Sequence, residues 1–163
     1  MFILSRFKLI RTIFSILYLI EINNFKIINA QEIPFNSGTC INNPGLVHDL
    51  IRVGETLGVS ITKGVPRLPN KDATYEAYPG EIGDIIITKR PLKSIFYCML
   101  VTHEFIHVLQ HLNGNLTAVT PLGWKLTYQQ IYSYQNLLEA EAYAYQNYPK
   151  KVILNLNRYV NNK

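Results

Sequence analysis

The amino-acid sequence predicts an α+β fold, with a small sheet on one side of two long helices, and three observations carry that expectation. The run Gly83-Asp84-Ile85-Ile86-Ile87-Thr88 is β-branched, closed by Pro91, and reads as a strand. The apolar run from Leu92 to Leu112 is too long for a strand and reads as a helix buried on most sides. From Tyr128 to Tyr148 the chain returns to helical spacing, so the order helix, short strand, loop, strand, helix, helix makes an α+β arrangement.

The first thirty residues stand apart. Arg6, Lys8 and Arg11 form a basic start, Thr12 to Ile20 is apolar, and Ile28-Asn29-Ala30 offers a small residue before a cut at Gln31. This is the pattern of a signal peptide over residues 1–30, which predicts an exported or secreted protein after cleavage near Ala30. The alternative is an uncleaved N-terminal membrane anchor, the one membrane contact the sequence offers. Thr12 to Ile20 is short for a span, and Glu21, Asn23, Asn24 and Lys26 interrupt any extension.

Residues 31–163, about 133 in number, suffice for one domain with one core. The formal charge of +5 falls mostly in the leader, leaving twelve basic and ten acidic residues beyond it. That near-balance gives no electrostatic case for nucleic acid as a partner. Lys150, Lys151, Arg158 and Lys163 near the C-terminus read as a solvated tail. The two cysteines, Cys40 and Cys98, either pair in an oxidising compartment or remain buried thiols.

After a turn-rich loop, Leu46, Val47, Leu50, Ile51, Val53 and Leu57 recur at helical spacing, and Gly58 ends that helix. Val59-Ser60-Ile61-Thr62 alternates as a short strand, and Gly64 to Pro79, with three prolines, reads as an extended loop. The strand at Gly83–Thr88 is expected at an exposed sheet edge beside the site, where it can hold an extended peptide. Asn113-Gly114 is expected to close the Leu92–Leu112 helix with a left-handed glycine. Pro149 ends the later helix.

Within the buried helix lies His103-Glu104-Phe105-Ile106-His107. Residues four apart on a helix lie about 6 Å apart along its axis on nearly one side, so both imidazoles reach one metal ion. Glu104, one residue on, lies within reach of a water held there, the position of a general base. Two histidines and a glutamate in so apolar a helix carry a large desolvation cost, which a divalent cation compensates. His111 is about 12 Å along the axis from His103, too far to share the ion. His48, beside Asp49, reads as exposed or structural, and Asp84 as a strand residue.

Two histidines hold zinc incompletely, and the later helix offers Glu139 and Glu141. Two apart on a helix, they point about 160° from each other, so one faces the metal. By angle Glu141 lies in the apolar arc of Tyr134, Leu137, Leu138, Tyr145 and Tyr148, where a carboxylate needs a partner. Glu139 lies in a more polar arc able to line a cleft.

His103 to His107 with a downstream glutamate helix resembles the gluzincin division of zinc metallopeptidases, and His107-Val108-Leu109-Gln110 looks like the H-x-x-Q ending of its minimal members. Glu139-Ala140-Glu141-Ala142 matches the E-x-x-A pattern that carries the third ligand in several such families, with Tyr143 where some have aspartate. The resemblance covers Leu92 to Gln146. It implies a zincin-like fold in which an edge strand packs against the H-E-x-x-H helix. It also implies that His103, His107 and Glu139 hold Zn2+ while Glu104 acts as base in hydrolysing a peptide or protein substrate. Tyr128, Tyr132 and Tyr143 stand where an oxyanion-stabilising tyrosine is sought. The alternative is a non-catalytic metal-binding or interaction domain on the same fold.

Overall fold

The computed structural model describes residues 38–134 and 136–161; the expected leader, residues 1–30, lies outside them. Among the described residues, five helices and one mixed three-stranded sheet make an α+β arrangement. Helix α1 spans Leu46–Leu57 and turns Val47, Leu50, Gly54 and Leu57 inward, a stripe at spacings of three and four. Gly58 closes it at φ 98°, a left-handed conformation that glycine adopts without strain.

Strands β1 (Ser60–Gly64), β2 (Ala73–Tyr78) and β3 (Glu81–Thr88) follow, in the sheet order β1-β3-β2. β1 runs parallel to β3 with Ile61 opposite Ile85, and β2 runs antiparallel with Tyr75 opposite Ile85. The register slips between Glu76 and Tyr78, at a bulge. Gly83 lies across from it, and a Cβ there would stand 1.7 Å from the Glu76 carbonyl oxygen.

The β-branched run is therefore the central strand and not the exposed edge that the sequence suggests. The edge against the site helix is β2, drawn from the segment expected to be loop. Pro66, Pro69 and Pro79 bracket β2 without interrupting it, and Ala-Thr-Tyr-Glu-Ala-Tyr lacks the aliphatic alternation that marks a strand. β3 is paired on both flanks, and Gly83, Ile85 and Ile87 are buried on one of its faces, with Ile85 and Ile87 in the core.

Helix α2, Ser94–Asn113, runs through the middle of the domain with Val101, Phe105, Ile106, Val108 and Leu109 in the core. Phe105 meets α1 where Gly54 leaves room for its ring. Gly114 follows α2 at φ −87°, so the expected left-handed glycine is absent; Asn115 and Leu116 take that conformation instead, at φ 54° and 59°. Gly114 answers a different need: a Cβ there would stand 1.9 Å from the Ala118 carbonyl oxygen.

The expected helix from Tyr128 to Tyr148 is two helices. α3 covers Tyr128–Tyr134 and α4 covers Leu137–Tyr145. Asn136 between them is extended, at φ −142°, and its side chain accepts from Leu138 N at 2.9 Å, capping α4. Pro149 does not end a helix but opens another, α5, Pro149–Val160, at a position where its missing N–H costs nothing. Val152 and Leu156 bury α5 in the core, so the basic C-terminal stretch is no solvated tail. Its Lys151 amine sits 4.3 Å from the Trp124 ring centre and 3.8 Å from that of Tyr145.

Cys40 and Cys98 form a disulfide, with Cα atoms 5.6 Å apart, that ties the start of the described chain to α2. No helix among the described residues is long and apolar enough to cross a membrane.

Candidate metal centre

Helix α2 sets the site. One turn apart on it, His103 and His107 bring their Nε2 atoms within 3.2 Å of each other. Helix α4 supplies the third group: Glu139, in its first turn, places Oε1 3.2 Å from His107 Nε2 and Oε2 3.6 Å from His103 Nε2. Among the described residues this is the one group of three His, Cys, Asp or Glu side chains close enough to hold a metal ion. The two imidazoles are nearly buried, whereas the Glu139 side chain is 34 % exposed, so the centre opens to solvent on the α4 side.

The hydrogen bonds around His107 determine which ring nitrogen carries a proton. Gln110 Nε2 donates to the Leu138 carbonyl at 3.0 Å and to Glu141 Oε2 at 3.0 Å, both of which only accept. That orients the amide, so Gln110 Oε1, 2.8 Å from His107 Nδ1, must accept the proton there. Nε2 of His107 then turns its other valence toward a carboxylate and a second imidazole. Such an arrangement calls for positive charge among the three, a proton or a metal cation.

The separations suit a metal. A tetrahedral ion with ligand bonds of about 2.0–2.1 Å has ligand atoms about 3.3–3.4 Å apart. The three observed separations, 3.2, 3.2 and 3.6 Å, bracket that value.

The charges of the three groups reinforce one another. The hydrogen bonds from His103 and His107 hold the Glu139 carboxyl far below the usual carboxylate range, against its burial. Burial works against charge on His107, but Glu139, Glu104 and Gln110 together outweigh it and raise its pKa. Glu104, 5 % exposed, is pushed up by burial, opposed by the charges of His103 and His107 and by a hydrogen bond with the Tyr75 backbone. Glu104 thus lies among the site groups and beside strand β2.

Glu139, not Glu141, faces the imidazoles. Glu141 is 2 % exposed and serves the fold: Oε2 accepts from Leu122 N at 2.8 Å and Oε1 from Trp124 N at 3.0 Å, besides the bond from Gln110.

No protein-family model, curated protein or solved structure matches this chain. The site therefore stands on its geometry. The remaining sequence candidates fall outside the three-ligand group. His111 is buried, with Nδ1 2.8 Å from the Tyr75 hydroxyl, which in turn accepts from Gly83 N at 3.0 Å. His48 is exposed on α1, and Asp84 accepts from the Tyr78 hydroxyl at 3.1 Å.

Of the three tyrosines, Tyr143 alone reaches the centre. Its ring meets His103 edge-on at 4.6 Å and stacks on Tyr134 at 4.4 Å. Tyr128 and Tyr132 stack on each other at 6.4 Å on exposed α3. The sequence reading missed Tyr75 and the part of Gln110. For Gln110 a signal existed, since a residue three beyond a ligand lies on the same helix face. For Tyr75 none did, because its strand went unread.

Proposed function

We propose that this protein is a zinc-dependent peptidase in which His103, His107 and Glu139 hold the ion and Glu104 is the general base. The observation that carries the reading is the convergence of those three ligand atoms with a buried carboxylate beside them. Three protein ligands and a solvent-facing side are the pattern of a catalytic zinc site, whereas structural sites close with four. The likeness of the Leu92–Gln146 stretch to minimal gluzincins supports the same assignment, and with it a zincin-like fold.

When bound, zinc supplies a water acidified toward a pKa of about 7 and a Lewis acid for the scissile carbonyl. The chain's own groups do the rest. With the ion in place, Glu104 would accept a proton from such a water and return it to the leaving amine; burial raises the pKa of its carboxyl. The Tyr75 backbone holds the carboxylate in place. Edge strand β2, beside Glu104, offers main-chain groups to an extended peptide. The Cys40–Cys98 bond supports a place outside the reducing cytosol, consistent with an exported chain.

The test is metal content and peptidase activity side by side. Purified protein should carry one zinc per chain, His107→Ala should carry none, and Glu104→Gln should keep the metal while losing about 10²–10⁴-fold in rate. A wild-type protein without transition metal, or a Glu104→Gln variant as active as wild type, refutes the reading.

A further inference from the structure

We infer that Glu141, which touches none of the three ligands, is a positioning residue for His107, acting through Gln110, and that it ties metal retention to the seating of residues 121–125. This rests on the metal reading above. The observations form one unbroken chain of hydrogen bonds. The main-chain N–H groups of Leu122 and Trp124 donate to Glu141 at 2.8 and 3.0 Å, Gln110 Nε2 donates to Glu141 at 3.0 Å, and His107 Nδ1 donates to Gln110 Oε1 at 2.8 Å. Gln110 is fully buried and Glu141 nearly so, so water does not replace any link.

Three donors converge on Glu141, and a carboxylate is the side chain that accepts from all of them without offering a donor of its own. Its charge polarises the Gln110 amide, which strengthens Oε1 as an acceptor and makes His107 Nε2 a better ligand. Where some proteins of the resembled family have aspartate, four residues beyond the third ligand, this chain has Tyr143, whose ring packs on His103. The relay supplies the other imidazole with a carboxylate by a longer route. Its far end is the main chain of Leu122 and Trp124, with the Trp124 ring lying under the Lys151 amine. Moving residues 121–125 removes the two main-chain donors that seat Glu141, and displacing Glu141 leaves the Gln110 amide held by the Leu138 carbonyl alone.

The experiment measures Zn2+ affinity of the full chain by competition with a fluorescent chelator, in wild type, Gln110→Met, Glu141→Gln and the double variant. Metal-free unfolding temperatures and the NMR signal of the His107 Nδ1 proton are recorded alongside. Gln110→Met should weaken zinc binding by about 10–100-fold and abolish the proton signal. Glu141→Gln should weaken binding by about tenfold and move that signal upfield. Added to Gln110→Met, it should weaken zinc binding no further, since it acts through the missing amide.

A Gln110→Met protein within about twofold of wild type overturns the inference, as does a Glu141→Gln effect equal in both backgrounds. Lower unfolding temperatures with unchanged affinity and an unmoved signal mark a purely structural carboxylate and also overturn it. Should Gln110→Met not fold, the Glu141→Gln arm decides alone: a displaced signal with weaker zinc binding supports the relay, and an unmoved one overturns it. Wild-type protein that binds no zinc removes the metal reading and this inference together; wild type that binds it, with unaffected variants, removes this inference alone.

Discussion

Opening the Cys40–Cys98 bond should destabilise the domain by about 2–4 kcal/mol, through the unfolded chain more than the folded one. The bond closes a stretch with a sequence separation of 58, for which the chain-entropy relation gives about 4 kcal/mol at 25 °C. The folded state should survive its loss, because other contacts seat the same segment: Cys40 N donates to the Asn147 carbonyl at 3.0 Å and Ile41 N to Asn147 Oδ1 at 3.2 Å. Urea titrations of metal-free protein, with and without reductant and equilibrated from the unfolded side because both sulfurs are buried, provide the assay. With a slope of about 1–3 kcal/mol per molar urea, the midpoint should fall by about 2 M. A loss below about 1 kcal/mol refutes the loop-closure reasoning.

Other perturbations follow from named contacts. Gly54→Ala would put a Cβ 2.2 Å from Phe105 Cε1 at the crossing of α1 and α2, so it should destabilise by about 1–3 kcal/mol despite alanine's better helix propensity. An unchanged urea midpoint contradicts that packing. In metal-free protein the Glu139 carboxylate, its pKa depressed below the usual 4.5, contributes stability above that value and loses it as pH falls through the depressed one. His107, raised above 6.5, contributes below 6.5 and loses it as pH rises through its raised value. The pair therefore stabilises most between pH 4.5 and 6.5, and a Glu139→Gln thermal profile should lack that maximum; a profile shaped like wild type's contradicts the ion pair.

How much of this the sequence discloses depends on how local each feature is. His103 and His107 are one helical turn apart, so their convergence is decided by the helix alone. Glu139 and Glu141 are different. Periodicity rightly put Glu141 in the apolar arc where a carboxylate needs partners, but those partners are amides of Leu122 and Trp124 and the side chain of Gln110, which no helical angle reveals. Strand β2 escaped notice because its identity comes from pairing with β3 and from Tyr75 reaching His111, not from its own alternation. Helix α5 is hard to read locally because Pro149 looks alike as a terminator and as a first residue, and because the buried positions Val152 and Leu156 are sparse among polar and basic neighbours. The break at Asn136 is likewise a side chain outcompeting the helix for a backbone donor.

The way β2 is threaded through the crossover between β1 and β3 bears on how the domain assembles. β2 and β3 are joined by Pro79-Gly80, with Gly80 at φ 83°, and need only a short loop to meet, whereas Ser60 must find Asp84 across the whole intervening stretch. The hairpin can therefore form as a local unit, and β1 docks onto an existing template afterwards. In native-state hydrogen exchange the β1 amides should open at lower free energy than those of the hairpin; the reverse order would contradict this sequence of events. Since β2 is also the strand that touches Glu104, the wall beside the candidate metal centre would be assembled before the sheet behind it is complete.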